Sequence, residues 1–126
     1  MSLPLSITIS KRTTDSFRYI KSRTGINNNA LARMALSLAI ESGDDVLAKP
    51  KPDADGQTFP RDLLFGENAE VYDVIIDEYI REIEFQNEPS NFPKANLISA
   101  LIESGAQRLS HIRHLKDFAS ILPSGD

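Results

Sequence analysis

Apolar and polar residues alternate at the start of the chain. Leu5, Ile7 and Ile9 alternate with Ser6, Thr8 and Ser10, the period of a short strand with one apolar face. Such a strand needs a partner. The period then lengthens to that of a helix, with Thr13 or Thr14 placed to cap a segment running to about Thr24 and Gly25 placed to close it in the left-handed conformation. Phe17, Ile20 and Thr24 share one face of this helix, while Arg18, Lys21 and Ser22 share another. Asn27 caps a second predicted helix, through about Ser42, closed by Gly43. Its side chains from Leu31 to Ile40 are apolar almost all round, and Arg33, Ser37 and Glu41 form its single polar line. A helix of this kind is buried on most sides, and in so short a chain part of that burial is expected from another subunit.

Residues 44–60 carry Pro50, Pro52, Gly56 and Pro60 among acids and read as an exposed connector. A third helix is predicted over about Glu67–Gln86, with Tyr72, Ile76, Tyr79, Ile80 and Ile83 on one side and Glu70, Asp73, Asp77 and Glu84 on the other. A loop with Pro89 and Pro93 leads to a fourth, over about Ala95–Phe118, with Leu97, Ile98, Leu101, Ile102, Leu109 and Ile112 inward. Gly105 within it permits close packing or a bend, and Pro123–Asp126 reads as a tail. The expected fold class is mainly α: a compact four-helix domain with a short N-terminal strand. It is a single domain over 1–126, made of a strand-helix-helix part (5–43), the connector (44–60) and a two-helix C-terminal part (61–122).

Composition narrows what such a domain does. The 126 residues suit one domain with a real core, and no apolar run reaches the ~20 residues that span a bilayer. Met1–Ser10 lacks the basic start and apolar stretch of a signal peptide, so a cytoplasmic location is expected. The chain has no cysteine, which excludes a disulfide framework, a thiolate zinc site, an iron–sulfur cluster and a persulfide carrier. The net charge of −4 hides an asymmetry. In residues 1–40, Lys11, Arg12, Arg18, Lys21, Arg23 and Arg33 stand against Asp15 alone, a net +5, whereas residues 41–126 hold eight basic and 17 acidic side chains, a net −9. The split marks a basic working end, or ends that neutralise each other within or between subunits.

Catalytic chemistry finds little support. The six glycines are scattered, so no phosphate-cradling loop is expected. Asp53 and Asp55 before Gly56 faintly resemble a calcium loop, but Leu64 stands where the bidentate Glu should fall. His111 and His114, with Asp117 a turn on, have a spacing that suits a metal, yet Arg108, Arg113 and Lys116 surround them; a basic helix end, or a secondary DNA contact, is the plainer reading. No acid has lysine two residues beyond it, so a metal-dependent nuclease site has no positive signal. No catalytic residue, cofactor or metal is therefore expected. The positive signal is the junction Arg23-Thr24-Gly25-Ile26-Asn27-Asn28-Asn29. There, the free N–H groups of a helix start can hold a phosphate oxygen, with Lys21 and Arg23 approaching from the preceding turn; a well-capped turn and nothing more is the alternative.

The order strand, helix, Thr24-Gly25, Asn cap, helix over about residues 5–42 resembles the ribbon-helix-helix fold, in which two strands pair across a dimer and enter the major groove. In that reading, a transcriptional repressor, Ser6, Thr8 and Ser10 would read bases. A closer likeness covers most of the chain. RTGINNNALARMALSLAIES at 23–42, GQTFPRDLLFGE at 56–67 and IESGAQRLSHI at 102–112 together resemble the DndE family, the small subunit of the DNA phosphorothioation system, which exchanges a non-bridging backbone oxygen for sulfur and marks DNA for host defence. Ala32 takes a position where the family pattern has cysteine, and Asn27-Asn28 one where it has Thr-Pro.

The resemblance implies a helical protein that self-associates as a tetramer and binds double-stranded DNA, nicked DNA included. Its partners would be DndC, which with a cysteine desulfurase carries the sulfur chemistry, and the ATPase DndD. Nicking activity is a further property suggested within the family. The DNA-binding residues expected here are Lys11, Arg12, Arg18, Lys21, Arg23 and Arg33, with Asn27 and Asn28 as cap-side donors; Arg33 has an alternative in pairing with a neighbouring acid. An adaptor whose acidic third helix contacts partner proteins remains a further reading.

Overall fold

Ile7 ties the N-terminal strand to the core. The structure, a computed structural model, describes residues 3–86 and 93–111; Ile112, the His114–Asp117 part of the possible metal pair, the end of the fourth helix and the C-terminal tail lie outside the described residues. Strand β1 (Ser6–Thr8) pairs antiparallel with β2 (Thr58–Pro60), with Ile7 opposite Phe59 and both buried. The pairing extends beyond the strands, since the Ile9 N–H donates to the Gln57 carbonyl and the Gly56 N–H to that of Ile9, each at 3.0 Å. The strand's partner thus comes from the same chain, whereas a ribbon-helix-helix dimer pairs it across subunits. It comes, moreover, from the segment expected to be an exposed connector, which also holds a 3-10 turn (Val46–Ala48) with Val46 buried. The expected apolar strand face is only partly formed. Ile7 and Ile9 are buried, but the chain bends at Leu5 and leaves that side chain 77% exposed.

Helix α1 (Lys11–Thr24) follows at once. Its cap is Ser10, not Thr13 or Thr14: the Ser10 hydroxyl accepts from the Thr13 N–H at 3.1 Å. Those threonines fall inside the first turn, where Thr13 is buried and Thr14 donates to the Ser10 carbonyl and accepts from the Gln57 N–H. Gly25 ends the helix as expected, at φ +76°, with its N–H on the Lys21 carbonyl. Asn27 caps α2 (Asn28–Glu41), its side-chain oxygen accepting from the Ala30 N–H at 2.9 Å.

Leu31, Ala32, Ala35, Leu36 and Ala39 of α2 are fully buried within the chain, while Met34, Leu38 and Ile40 stay only partly buried. Helix α5 (Lys94–Leu109) packs along α2 and buries Leu97, Ile98, Leu101, Ile102 and Leu109. Between β2 and the third long helix lies a short helix the hydrophobic pattern does not predict, α3 (Arg61–Phe65), with Leu64 and Phe65 inward. After one 3-10 turn, α4 (Ala69–Gln86) runs with Ile76, Tyr79 and Ile83 buried and with Tyr72 5.2 Å from Phe65, ring to ring. Four long helices and a two-stranded sheet therefore share one core, as the mainly α expectation requires. Among the described residues no helix is long and apolar enough to cross a membrane.

Candidate nucleic-acid interface

The amphipathic pattern of α1 decides which of its side chains reach solvent. Thr13, Phe17 and Ile20 are buried, so Lys11, Arg12, Arg18, Lys21 and Arg23 are all left exposed. Asp15 is the only acid in this helix, giving it a net charge of +4. Arg18 meets Asp15 at 3.5 Å, but both side chains are more than half exposed, and such a pair contributes about 0–1 kcal/mol. It does not withdraw Arg18 from a ligand. Tyr19 is 63% exposed on the same helix, with the Arg23 guanidinium 5.7 Å from its ring centre, a cation–π distance that orients the arginine. From Lys11 to Arg23 the helix rises about 18 Å, the length of roughly five base-pair steps.

The two ends of this face differ. At the start, the Asp53 carboxylate accepts from the backbone N–H groups of Lys11 and Asp55, each at 3.0 Å. Those bonds, Lys11's foremost, hold the Asp53 carboxyl below the usual carboxylate range. What resembled a calcium-loop fragment thus anchors the connector to α1 and puts an anion beside Lys11. Toward the other end, Lys21 and Arg23 lie in the last turn, where they favour the negative end of the helix dipole. Gly25 and Asn27 follow directly, and no acid lies in the first turn of α2. The Asn27 side chain satisfies one of the free N–H groups of that helix start and remains exposed.

Two expected contact residues turn inward. The Asn28 amide donates to the Gln57 side-chain oxygen at 2.7 Å, and its own oxygen is buried without a partner. Arg33 donates to the carbonyls of Leu64 at 2.9 Å and Leu63 at 3.5 Å; it closes the end of α3 and pairs with no acid among the described residues. The expected residues that stay exposed are therefore Lys11, Arg12, Arg18, Lys21 and Arg23 of α1, with Asn27 beyond its end. The sequence reading missed Tyr19. Its place four residues before Arg23 was the available signal, since residues four apart share a helix face.

The acidic side of α4 is not a free acidic surface throughout. The Lys94 ammonium donates to Asp73 at 2.8 Å and Asp77 at 2.7 Å and is 11% exposed. Burial pushes the Lys94 pKa down, but the hydrogen bonds and charges of the two aspartates outweigh it and leave it raised. Glu70 and Glu84 stay exposed. Among the described residues, no three His, Cys, Asp or Glu side chains converge on a point that could hold a metal.

Comparison with known proteins fixes the family. The sequence profile of "DNA sulphur modification protein DndE" matches residues 6–117. The chain belongs to the DndE family. This DndE chain is accordingly a protein of DNA sulphur modification. Its fold is similar to the crystal structure of DndE from Escherichia coli B7A, described as involved in DNA phosphorothioation modification: the TM-score is 0.71 at 21% identity over 86% of this chain and 99% of that one. A lysine-substituted DndE mutant, also described as involved in DNA phosphorothioation, is similar at TM-score 0.66 and 21% identity, over 87% of this chain and all of that one. A sequence comparison with curated proteins found no match.

Proposed function

We propose that this DndE chain is a non-catalytic subunit of the phosphorothioation machinery that grips double-stranded DNA, nicked duplex included, through its backbone phosphates. The observation that carries the reading is the exposed face of α1, with five cations against one acid, ending at an acid-free helix start. Phosphate contacts of this kind position a protein without reading sequence. Self-association, as a tetramer, repeats these modest sites so that they act together. The sulfur chemistry belongs to other proteins of the system, DndC and a cysteine desulfurase, with DndD as ATPase; a chain without cysteine holds the DNA on which they act, in the cytoplasm.

The repressor reading keeps Ser6 exposed but loses one base reader and engages another. Ser10 is 1% exposed and bonded to Glu103 at 2.6 Å, and Thr8 shares a 2.8 Å hydrogen bond with Thr58. The test is binding of nicked and intact duplexes as a function of salt, for the natural chain and for Lys21→Glu with Arg23→Glu. Binding that falls steeply with salt in the natural chain and weakens at least tenfold in the double variant supports the proposal. Unchanged affinity in that variant refutes it.

A further inference from the structure

A second polar site lies where the chain leaves α2 and α5 ends. An open cleft of about 240 Å³ is lined by Asp44, Lys49, Ser104, Gln107, Arg108 and His111. Its floor is rigid. The Asp44 carboxylate is 9% exposed and accepts from Arg108 twice, from Nη2 at 2.5 Å and Nε at 3.2 Å, and from the Ser104 hydroxyl at 2.7 Å. Its backbone carbonyl accepts from the buried Tyr79 hydroxyl of α4. Two-point pairing fixes the plane of a guanidinium as well as its position, so Arg108 is held in place before any ligand arrives.

Charge in the cleft is unbalanced. Among the described residues Arg108 neutralises the one acid lining it, whereas the Lys49 ammonium donates at 3.2 Å to the Ser104 hydroxyl rather than to a carboxylate. Lys49 and Arg108 against Asp44 leave the described lining one cation in excess. An ammonium has three donors and a guanidinium five, so both retain donors beyond these bonds, and the Gln107 amide and the His111 ring add more. A tetrahedral oxyanion accepts from several donors at once. The cleft is open to solvent and its volume of about 240 Å³ leaves room for a phosphate group.

We propose that this cleft is an oxyanion site that takes a phosphate group, either free or within a nucleic-acid backbone. Lys49 supplies the net charge, Arg108 the preset direction, and Gln107 and His111 further donors. The site shares no residue with the exposed face of α1 and stands whether or not that face grips DNA.

Titration of the ¹⁵N-labelled full chain with inorganic phosphate at fixed ionic strength tests it, read at the backbone amides of Ser104, Gln107 and His111. Saturable shifts are expected, weakened at least tenfold by Lys49→Glu and by Gln107→Glu. Both substitutions fall on exposed side chains and leave the Asp44–Arg108 pair intact, so each variant should fold. Lys21→Glu leaves the shifts unchanged. Duplex binding then separates the two sources of phosphate. A backbone phosphate in the cleft lowers the salt slope by about 1 in Lys49→Glu, whereas a free phosphate leaves that slope as it is. Absence of saturable shifts with both phosphate and duplex overturns the proposal, as do shifts that persist in both cleft variants.

Discussion

Gly105 of α5 lies so close to Ala35 of α2 that a Cβ on the glycine would sit 1.8 Å from the Ala35 carbonyl oxygen. The obstacle is backbone, which cannot turn aside as a side chain can. Gly105→Ala must therefore push the two central helices apart, and overpacking of this kind costs about 1–3 kcal/mol. Urea denaturation should show a lower midpoint with little change in slope. Ala35→Gly should not rescue the variant, because it removes a methyl group and leaves the carbonyl; recovery of stability in the double variant would place the clash elsewhere.

The same contact shows how much of α2 is covered within one chain. Part of the burial of this mostly apolar helix was expected from a second subunit; Gly105 lets α5 approach closely enough to cover Leu31, Ala35 and Leu36, while Met34, Leu38 and Ile40 stay only partly buried. Local chemistry was legible. Gly25 and Asn27 end and begin helices through their own conformations and hydrogen bonds, which sequence displays directly. Choices settled by distant packing were not. Ser10, Thr13 and Thr14 can each cap a helix, and burial of Thr13 against the core, with a hydrogen bond from Gln57 to Thr14, leaves the role to Ser10. Phe59 stands between polar Gln57 and Thr58 and Pro60, so its strand shows only through pairing with Ile7, some fifty residues away. Of the candidate site, the cations of α1 were readable from helical spacing. The inward turns of Asn28 and Arg33 depend on Gln57 and on the carbonyls of α3, elements the pattern did not place.

Asp44 gives stability an acid limit. The Arg108 hydrogen bond holds its carboxyl below the ordinary range against the opposing effect of burial, and Ser104 adds to the lowering. A carboxyl whose folded pKa is depressed contributes stability that is present above its unfolded value, near 3.9, and that fades as pH falls through the folded value. Asp44→Asn should therefore be less stable than the natural chain at pH 7, with the difference shrinking below about pH 4. Thermal melts of both proteins from neutral to acid pH check this. Parallel curves across that range would remove Asp44 from the account.

Tyr79 sets the corresponding alkaline behaviour. Burial pushes its phenol up to about 12, and the charges of Asp45 and Asp44 act in the same direction. The folded chain therefore keeps this hydroxyl protonated after the unfolded chain, with a value near 10, has begun to ionise, and stability falls as pH rises from the unfolded value toward the folded one. Tyr79→Phe should lower stability at neutral pH, because the hydrogen bond to the Asp44 carbonyl is lost, yet flatten the alkaline decline. Ultraviolet titration should lose its ionisation step near pH 12 in the variant. Survival of that step would assign it to another tyrosine.

Arg33 and Arg23 should separate stability from DNA binding, although both were expected to contact DNA. Arg33 donates to two carbonyls at the end of α3, whereas Arg23 is exposed and its one described partner is the face of Tyr19. Hydrogen bonds from a charged donor are worth about 1.5–3 kcal/mol, so Arg33→Ala should lower the unfolding free energy by an amount in or below that range and leave the salt dependence of duplex binding alone. Arg23→Ala should do the reverse: stability changes by no more than the ~1 kcal/mol of an exposed cation–π contact, and the salt slope falls by about 1 for the lost phosphate contact. Tyr19→Ala distinguishes two roles for the arginine's aromatic neighbour. If the ring only orients Arg23, affinity falls with an unchanged salt slope, because the charge remains; if the slope falls as well, the ring is needed for the phosphate contact to form. Loss of duplex binding in Arg33→Ala under conditions where the protein remains folded would move the interface from α1 toward α2.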